Sequence, residues 1–154
     1  RSLGVIESTF LRDELCAEII ADGKHLPREL IKMIVKIKGA DKTLLCTDSL
    51  AIAGTDIKEG VMSGTEFIVE DGVCKLKDRS AFAGSIATAD RLVRVMTKEC
   101  GFDMVTAVKM ITQTPAKLAK INAGSIEKGK RGDLVVFDDC VNVETTFVNG
   151  KKFD

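Results

Sequence analysis

Two short runs of this chain, "EIIADG" (18–23) and "TLLCT" (43–47), carry apolar side chains at successive rather than alternating positions. Successive strand residues point to opposite faces, so such runs need cover on both sides, as in a parallel sheet flanked by helices. Asp22-Gly23 stops the first run. Between the two lies "PRELIKMIVKIKG" (27–39), where Leu30, Met33, Ile34 and Ile37 recur at helical spacing. Pro27 suits the first turn of that helix and Gly39 the position just past its end. Strand, helix and strand over about 30 residues form the βα unit of a parallel sheet. Ligand groups in such sheets gather beyond the carboxyl ends of the strands. His25, the one histidine of the chain, and Asp48 both fall at that level.

The pattern changes downstream. Residues 49–65 mix Gly and Ser with scattered apolar residues and predict a long loop. "EFIVEDGVCKLKD" (66–78) predicts a hairpin turning at Asp71-Gly72. A helix is expected at about 85–99, with Ile86, Ala89, Val93 and Met96 on one face and Gly101 beyond its end. A second helix, capped by Asp103, should turn Met104, Val108 and Ile111 inward until Pro115 interrupts it. From Gly124 the pattern is all β. "DLVVFDD" (133–139) and "ETTFVNGKKFD" (144–154) read as strands, the latter turning at Asn149-Gly150. The expected organisation is therefore an α/β part, 1–122, with a hairpin insertion at about 66–78, followed by a β part, 123–154. A parallel sheet buried on both faces needs more than two strands, and the β tail needs partners, so the chain is expected to belong to something larger.

Composition removes several classes of function. Of the 154 residues, 45% are hydrophobic and 30% charged, values that suit a soluble globular protein and argue against disorder. Lys+Arg and Asp+Glu are both 23, so no global field draws the chain to nucleic acid or to an anionic membrane. Trp and Tyr are absent, although seven Phe remain as possible stacking platforms. No apolar run approaches the ~20 residues needed to span a bilayer. The opening "RSLGVIESTF" is neither a signal peptide nor a start, since it lacks Met. Five cysteines form no CxxC pair. Cys16, Cys46 and Cys140 lie in or beside apolar runs, so buried, reduced thiols and a cytoplasmic location are expected.

Taken singly, the candidate residues are ambiguous. A histidine after a turn is more often a surface or capping residue than a functional one. A carboxylate closing an apolar strand, as Asp48 does, must be paired, solvated in a cleft or coordinated, and capping explains it equally well. "FAGS" (82–85) either presents backbone N–H groups to an anion or sugar oxygen, or leaves Ser85 as a helix cap. The lysines of "KLKDR" and "EKGKRGD" read as solvated turns. No Walker loop, GxGxxG, HExxH or GxSxG occurs.

Together the segments are more specific. "AEIIADGKH", "LLCTDSLAIAG", "AFAGS" and "ITQTPAKLAKINAGSIEKGKRGDLVVFD" resemble the C-terminal portion of the amidohydrolase superfamily. The tail marks only the superfamily, whereas "ADGKH" with "TDSLAIAG" and "FAGS" narrows the resemblance to its N-acetylglucosamine-6-phosphate deacetylase family. The resemblance covers essentially the whole chain. It implies the last part of a metal-dependent (β/α)8 TIM barrel, incomplete here, and a remnant of a small β-sandwich built from both chain ends. It implies that Asp48 is catalytic, at the end of the last barrel strand. Asp22, Gly23, Lys24 and His25 match the stretch that contacts the sugar phosphate, with His25 the main side-chain contact. Phe82, Ala83 and Gly84 match a loop that closes over the substrate.

The resemblance also implies a divalent metal, zinc or iron, in the complete enzyme, which is expected to be a dimeric homo-oligomer. Its metal-binding Glu and His residues lie upstream in the family, so none is expected in this chain, which is then an inactive fragment. Amide hydrolysis at neutral pH needs an activated water and a group that carries the water's proton to the leaving amine. Asp48 is the candidate for that shuttle, and His25 for a hydrogen bond to the phosphorylated sugar. Two other readings stay open: another amidohydrolase, dihydroorotase-like or deaminase-like, and a folded module without chemistry.

Overall fold

The structure is a computed structural model that describes residues 2–153; Arg1 and Asp154, the last residue of the expected strand 144–154, lie outside it. The βα unit is present. β1 (Ala17–Ile19) and β2 (Thr43–Leu45) pair in parallel, in the register Ala17↔Thr43, Glu18↔Leu44 and Ile19↔Leu45. α2 (Arg28–Lys38) connects them. Gly39 follows α2 with φ +74, a left-handed backbone that suits glycine, and its N–H closes the helix on the Val35 carbonyl. β1 is shorter than expected and is covered on one face only: Ala17 and Ile19 are buried, whereas Glu18 is exposed. β2 is buried throughout.

A short helix, α1 (Val5–Leu11), precedes the unit. No buried residue holds it. Its carboxyl end is fastened instead by the buried Lys38, whose ammonium donates to the carbonyls of Thr9 (2.9 Å) and Arg12 (2.7 Å). A cation there also complements the negative end of the helix dipole.

The expected loop 49–65 contains a strand. β3 (Glu59–Met62), β4 (Thr65–Glu70), β5 (Val73–Leu76) and β6 (Phe82–Gly84) form a four-stranded antiparallel meander in that order. Asp71-Gly72 is the β4–β5 turn, as the sequence predicts. Ser63-Gly64 makes a second turn of the same kind, both residues having positive φ. β3 is hard to foresee because three of its four residues are exposed and Gly60 lies under the Phe67 ring without a side chain of its own.

α3 (Ala89–Arg94) starts four residues later than predicted, with Thr88 in the capping position, and runs into a wider π turn over Val95–Glu99. α4 (Met104–Ile111) is capped by the Asp103 carboxylate, which accepts from the Thr106 N–H. Its fully buried residues are Ala107 and Met110, with Met104, Val108 and Ile111 packed at the margin of the core. The helix breaks at Thr112, before α5 (Gln113–Ala119). Pro115 has no N–H to offer the Ile111 carbonyl, so the ladder stops there. Ile31, Leu92, Met96 and Met110 are the large side chains at the centre of the core. Each contributes roughly 1.5–3 kcal/mol by leaving water.

β7 (Leu134–Phe137), β8 (Val143–Val148) and β9 (Lys151–Phe153) form an antiparallel sheet, with Asn149-Gly150 turning β8 into β9. The β7–β8 loop reaches the core through Val141, which is 2% exposed. Arg94 holds that loop by donating to the carbonyls of Cys140 (3.2 Å) and Val141 (2.8 Å). All five cysteines are free, but the expectation of which are buried is reversed. Cys74 and Cys100 are buried, Cys16 and Cys46 are half-buried, and Cys140 is exposed in the β7–β8 loop. Among the described residues no helix is long and apolar enough to cross a membrane.

Candidate functional site

The carboxyl ends of β1 and β2 each deliver an aspartate, and the two are held in opposite ways. Asp22 is 2% exposed. One of its carboxylate oxygens, Oδ1, accepts the backbone N–H groups of Lys24 and His25, both at 2.9 Å. The other, Oδ2, lies 3.0 Å from Nδ1 of His25. Burial alone would raise this carboxyl, but the two backbone N–H groups and the His25 ring outweigh it and hold it below its ordinary value of 3.8. Asp22 therefore folds the loop Asp22–His25 around its own charge. Gly23 (φ +74) and Lys24 are exposed on that loop, and His25 is half-buried.

Asp48 is exposed and its backbone is left-handed, with φ +47, a conformation that Asp tolerates better than most residues. Its N–H donates to the Cys46 sulfur at 3.3 Å. Among the described residues its carboxylate accepts no hydrogen bond. The next two residues supply the anchorage. Ser49 forms a parallel bridge with Ser85 and donates its hydroxyl to the Ala87 carbonyl, while Leu50 donates its N–H to the Ser85 carbonyl at 2.9 Å.

β6 joins the two loops. The Phe82 ring meets the His25 ring edge-on, with centroids 5.2 Å apart at 62°. At the other end of the strand, Gly84 has φ +135 and lies directly beneath Leu50. A Cβ there would stand 2.9 Å from the Leu50 side chain, so the close approach demands glycine. The reading of Ser85 as a helix cap does not hold. Phe82, Ala83 and Gly84 are a strand paired with β5 and stand at no helix N-terminus. Ser85 is buried and accepts the Ala87 N–H at 3.0 Å, so it caps no helix.

One residue of this neighbourhood went unnoticed in the sequence. Arg91, in α3, donates from Nε to the Asp22 carbonyl and from a terminal nitrogen to the Gly72 carbonyl, both at 3.0 Å. An arginine on a helix surface carries no local signal for partners this distant in sequence. A recess of about 550 Å³ lies elsewhere, between α3, α4 and β7–β8, and is lined by residues such as Val93, Val108, Leu134 and Phe137. It includes none of the site residues, and the chemistry-bearing groups are at the strand ends instead.

Three comparisons bear on the chain. The pattern of the amidohydrolase family matches residues 4–153. An N-acetylglucosamine-6-phosphate deacetylase from Lysinibacillus sphaericus is 30% identical over 98% of this chain and 39% of its own length. An N-acetylgalactosamine-6-phosphate deacetylase from Shewanella sp. (strain ANA-3) is 27% identical over 98% of the chain and 38% of its own. The crystal structure of N-acetylglucosamine-6-phosphate deacetylase from Pasteurella multocida superposes with a TM-score of 0.92 at 33% identity, over 99% of this chain and 40% of that one. The chain thus spans about two fifths of the length of the relatives it matches.

Proposed function

The chain belongs to the amidohydrolase family, and from that premise we propose that it furnishes the proton-transfer aspartate and the sugar-phosphate loop of an enzyme that hydrolyses the acetamide of N-acetylglucosamine 6-phosphate. In this reading β1 and β2 are the last strands of a (β/α)8 barrel, residues 1–122 belong to that barrel, and residues 123–154 belong to a small β-sandwich. The observation that carries the proposal is the pair of loops. A fastened loop with a histidine and an open carboxylate stand at the same end of two adjacent parallel strands, where such folds bind ligands.

Each group has a task that suits its environment. The Asp48 carboxylate, exposed and without an internal partner, accepts a proton from the water that attacks the acetyl carbonyl. It returns that proton to the nitrogen as the C–N bond breaks, releasing acetate and the free amine. A positioned carboxylate in this role contributes about 10²–10⁴-fold. His25 has Nδ1 committed to Asp22, which leaves Nε2 for the sugar phosphate. Asp22 orients His25 and does not itself reach the sugar, since it is buried and both its oxygens are engaged by its own loop. Gly23 and Lys24 line the same loop, and Phe82, Ala83 and Gly84 form the floor between loop and aspartate.

The residues present do not fit a metal site by themselves. Among the described residues no group of three His, Cys, Asp or Glu side chains is placed to hold an ion. His25 is engaged by Asp22, and the thiol of Cys46, beside Asp48, is pushed up by burial away from the thiolate a metal requires. A divalent metal of the complete enzyme would take its ligands from other segments, and no step here runs through one.

The test is acetate release by the whole protein that carries this chain, supplied with a divalent metal. Turnover of N-acetylglucosamine 6-phosphate is expected, with the galactosamine epimer measured alongside because relatives of both names match the chain. No turnover of either amide, in folded protein, overturns the proposal.

A further inference from the structure

Among the described hydrogen bonds, those of Arg91 are the only ones that join the loop Asp22–His25 to the β4–β5 turn. They span 69 residues of sequence to Asp22 and 19 to Gly72. A guanidinium is a planar fork whose N–H groups keep a fixed separation, so bonding two carbonyls at once sets the distance between the loops that carry them. The guanidinium lies against the turn. Gly72 has φ +75, and a Cβ at that position would stand 3.5 and 3.7 Å from the two terminal nitrogens of Arg91 and 3.9 Å from Cε of Lys24. Arg91 and the Lys24 stem thus pack over the turn at ordinary contact distance.

We infer that Arg91 is a positioning residue of the sugar-phosphate loop. It makes that loop and the β4–β5 hairpin one body, and so holds His25 against Phe82 on the same meander. The chain of contacts is continuous. Arg91 holds the Asp22 carbonyl, the Asp22 carboxylate holds the N–H groups of Lys24 and His25, and its second oxygen holds the His25 ring. Arg91 itself reaches no reacting group. The inference rests on the reading of this loop as the sugar-phosphate contact.

Two measurements on the chain separate the inference from that reading. The first is amide hydrogen exchange in wild type, Arg91→Lys and Arg91→Met. Arg91→Lys keeps the charge but loses the fork, and Arg91→Met keeps the stem and loses every donor. The Lys24 and His25 amides should exchange about tenfold faster in Arg91→Lys and faster still in Arg91→Met, while the amides of Cys46 and Met110 change less than about twofold. Unchanged Lys24 and His25 amides in both variants overturn the inference. So does acceleration of all four amides by one factor, because that reports a global loss of stability. The second measurement adds glucosamine 6-phosphate and follows the ring signal of His25, which no other histidine can obscure. A shift in wild type that needs about tenfold more ligand in Arg91→Lys supports both statements. No shift in wild type, beside a positive exchange result, removes the sugar-phosphate reading and leaves Arg91 as the residue that positions the loop.

Discussion

Asp22 and Asp48 are the same residue type at the same end of two adjacent parallel strands, yet one is sealed and the other open. Asp22 is buried and gives its two oxygens to three internal donors. Asp48 is exposed, and Ser49 and Leu50 do the anchoring for it. A carboxylate satisfied by its own loop is a structural element, because moving it would leave buried N–H groups without acceptors. A carboxylate held by its neighbours alone keeps its lone pairs for a proton. The difference between the two strand ends is therefore a difference in what satisfies each charge.

The sharpest way to break the comparison is Asp48→Asn, which removes the proton acceptor and keeps the size. In the whole protein kcat should fall by at least ~10²-fold with substrate binding little changed. His25→Asn should instead raise KM more than it lowers kcat. Steady-state kinetics corrected for the folded fraction decides the matter, and a near-normal kcat in folded Asp48→Asn sinks the assignment of roles.

A smaller effect is expected at the sealed aspartate. Asp22→Asn keeps an acceptor for the two N–H groups but loses the charge, and should cost about 1.5 kcal/mol at neutral pH, the scale of a hydrogen bond to a charged group. The folded carboxyl is held below its ordinary 3.8. Its contribution is thus present above that value and is lost as pH falls through the depressed folded value. Urea melts across pH should show the gap between wild type and Asp22→Asn narrowing only below about 3.8. A gap that stays constant into acid would mean the charge of Asp22 contributes nothing.

The mildest variant sharpens the link between the loops. Phe82→Leu keeps an apolar side chain and removes the ring edge that meets His25. Such aromatic contacts contribute about 0.5–1.5 kcal/mol beyond burial, and Phe82 is half exposed, so a KM rise of about two- to threefold with unchanged kcat is expected. An effect on kcat as large as that of Asp48→Asn would place Phe82 among the reacting groups.

Much of this arrangement is legible in local sequence. Apolar runs closed by Asp placed both strand ends, the spacing of Leu30, Met33, Ile34 and Ile37 marked α2 although the face it buries is Ile31, Ile34 and Val35 with Met33 and Ile37 exposed, Asp-Gly and Asn-Gly marked two turns, and Asp103 marked a helix start. These signals work because each is carried by side chains within one turn or one strand of the backbone they act on. The resemblance carried by "ADGKH" and "TDSLAIAG" then named the residues of the site without saying how they are held. β3, the late start of α3 and the reversal of cysteine burial were not legible. Each depends on what packs against the segment rather than on the segment itself.

Which aspartate is open is a matter of tertiary contact. Nothing in "IIADG" or "LLCTD" distinguishes a carboxylate that will be buried by its own loop from one left in solvent. Arg91, 69 positions away, holds the Asp22 carbonyl, and Gly84 makes room for Leu50 beside the Asp48 loop. Local pattern set the element ends and their residue types. Contacts between residues far apart in sequence leave no periodicity to read: Asp22 orients His25 through bonds within its own loop, but Arg91 fixes where that loop sits and Gly84 where Leu50, two residues after Asp48, is seated.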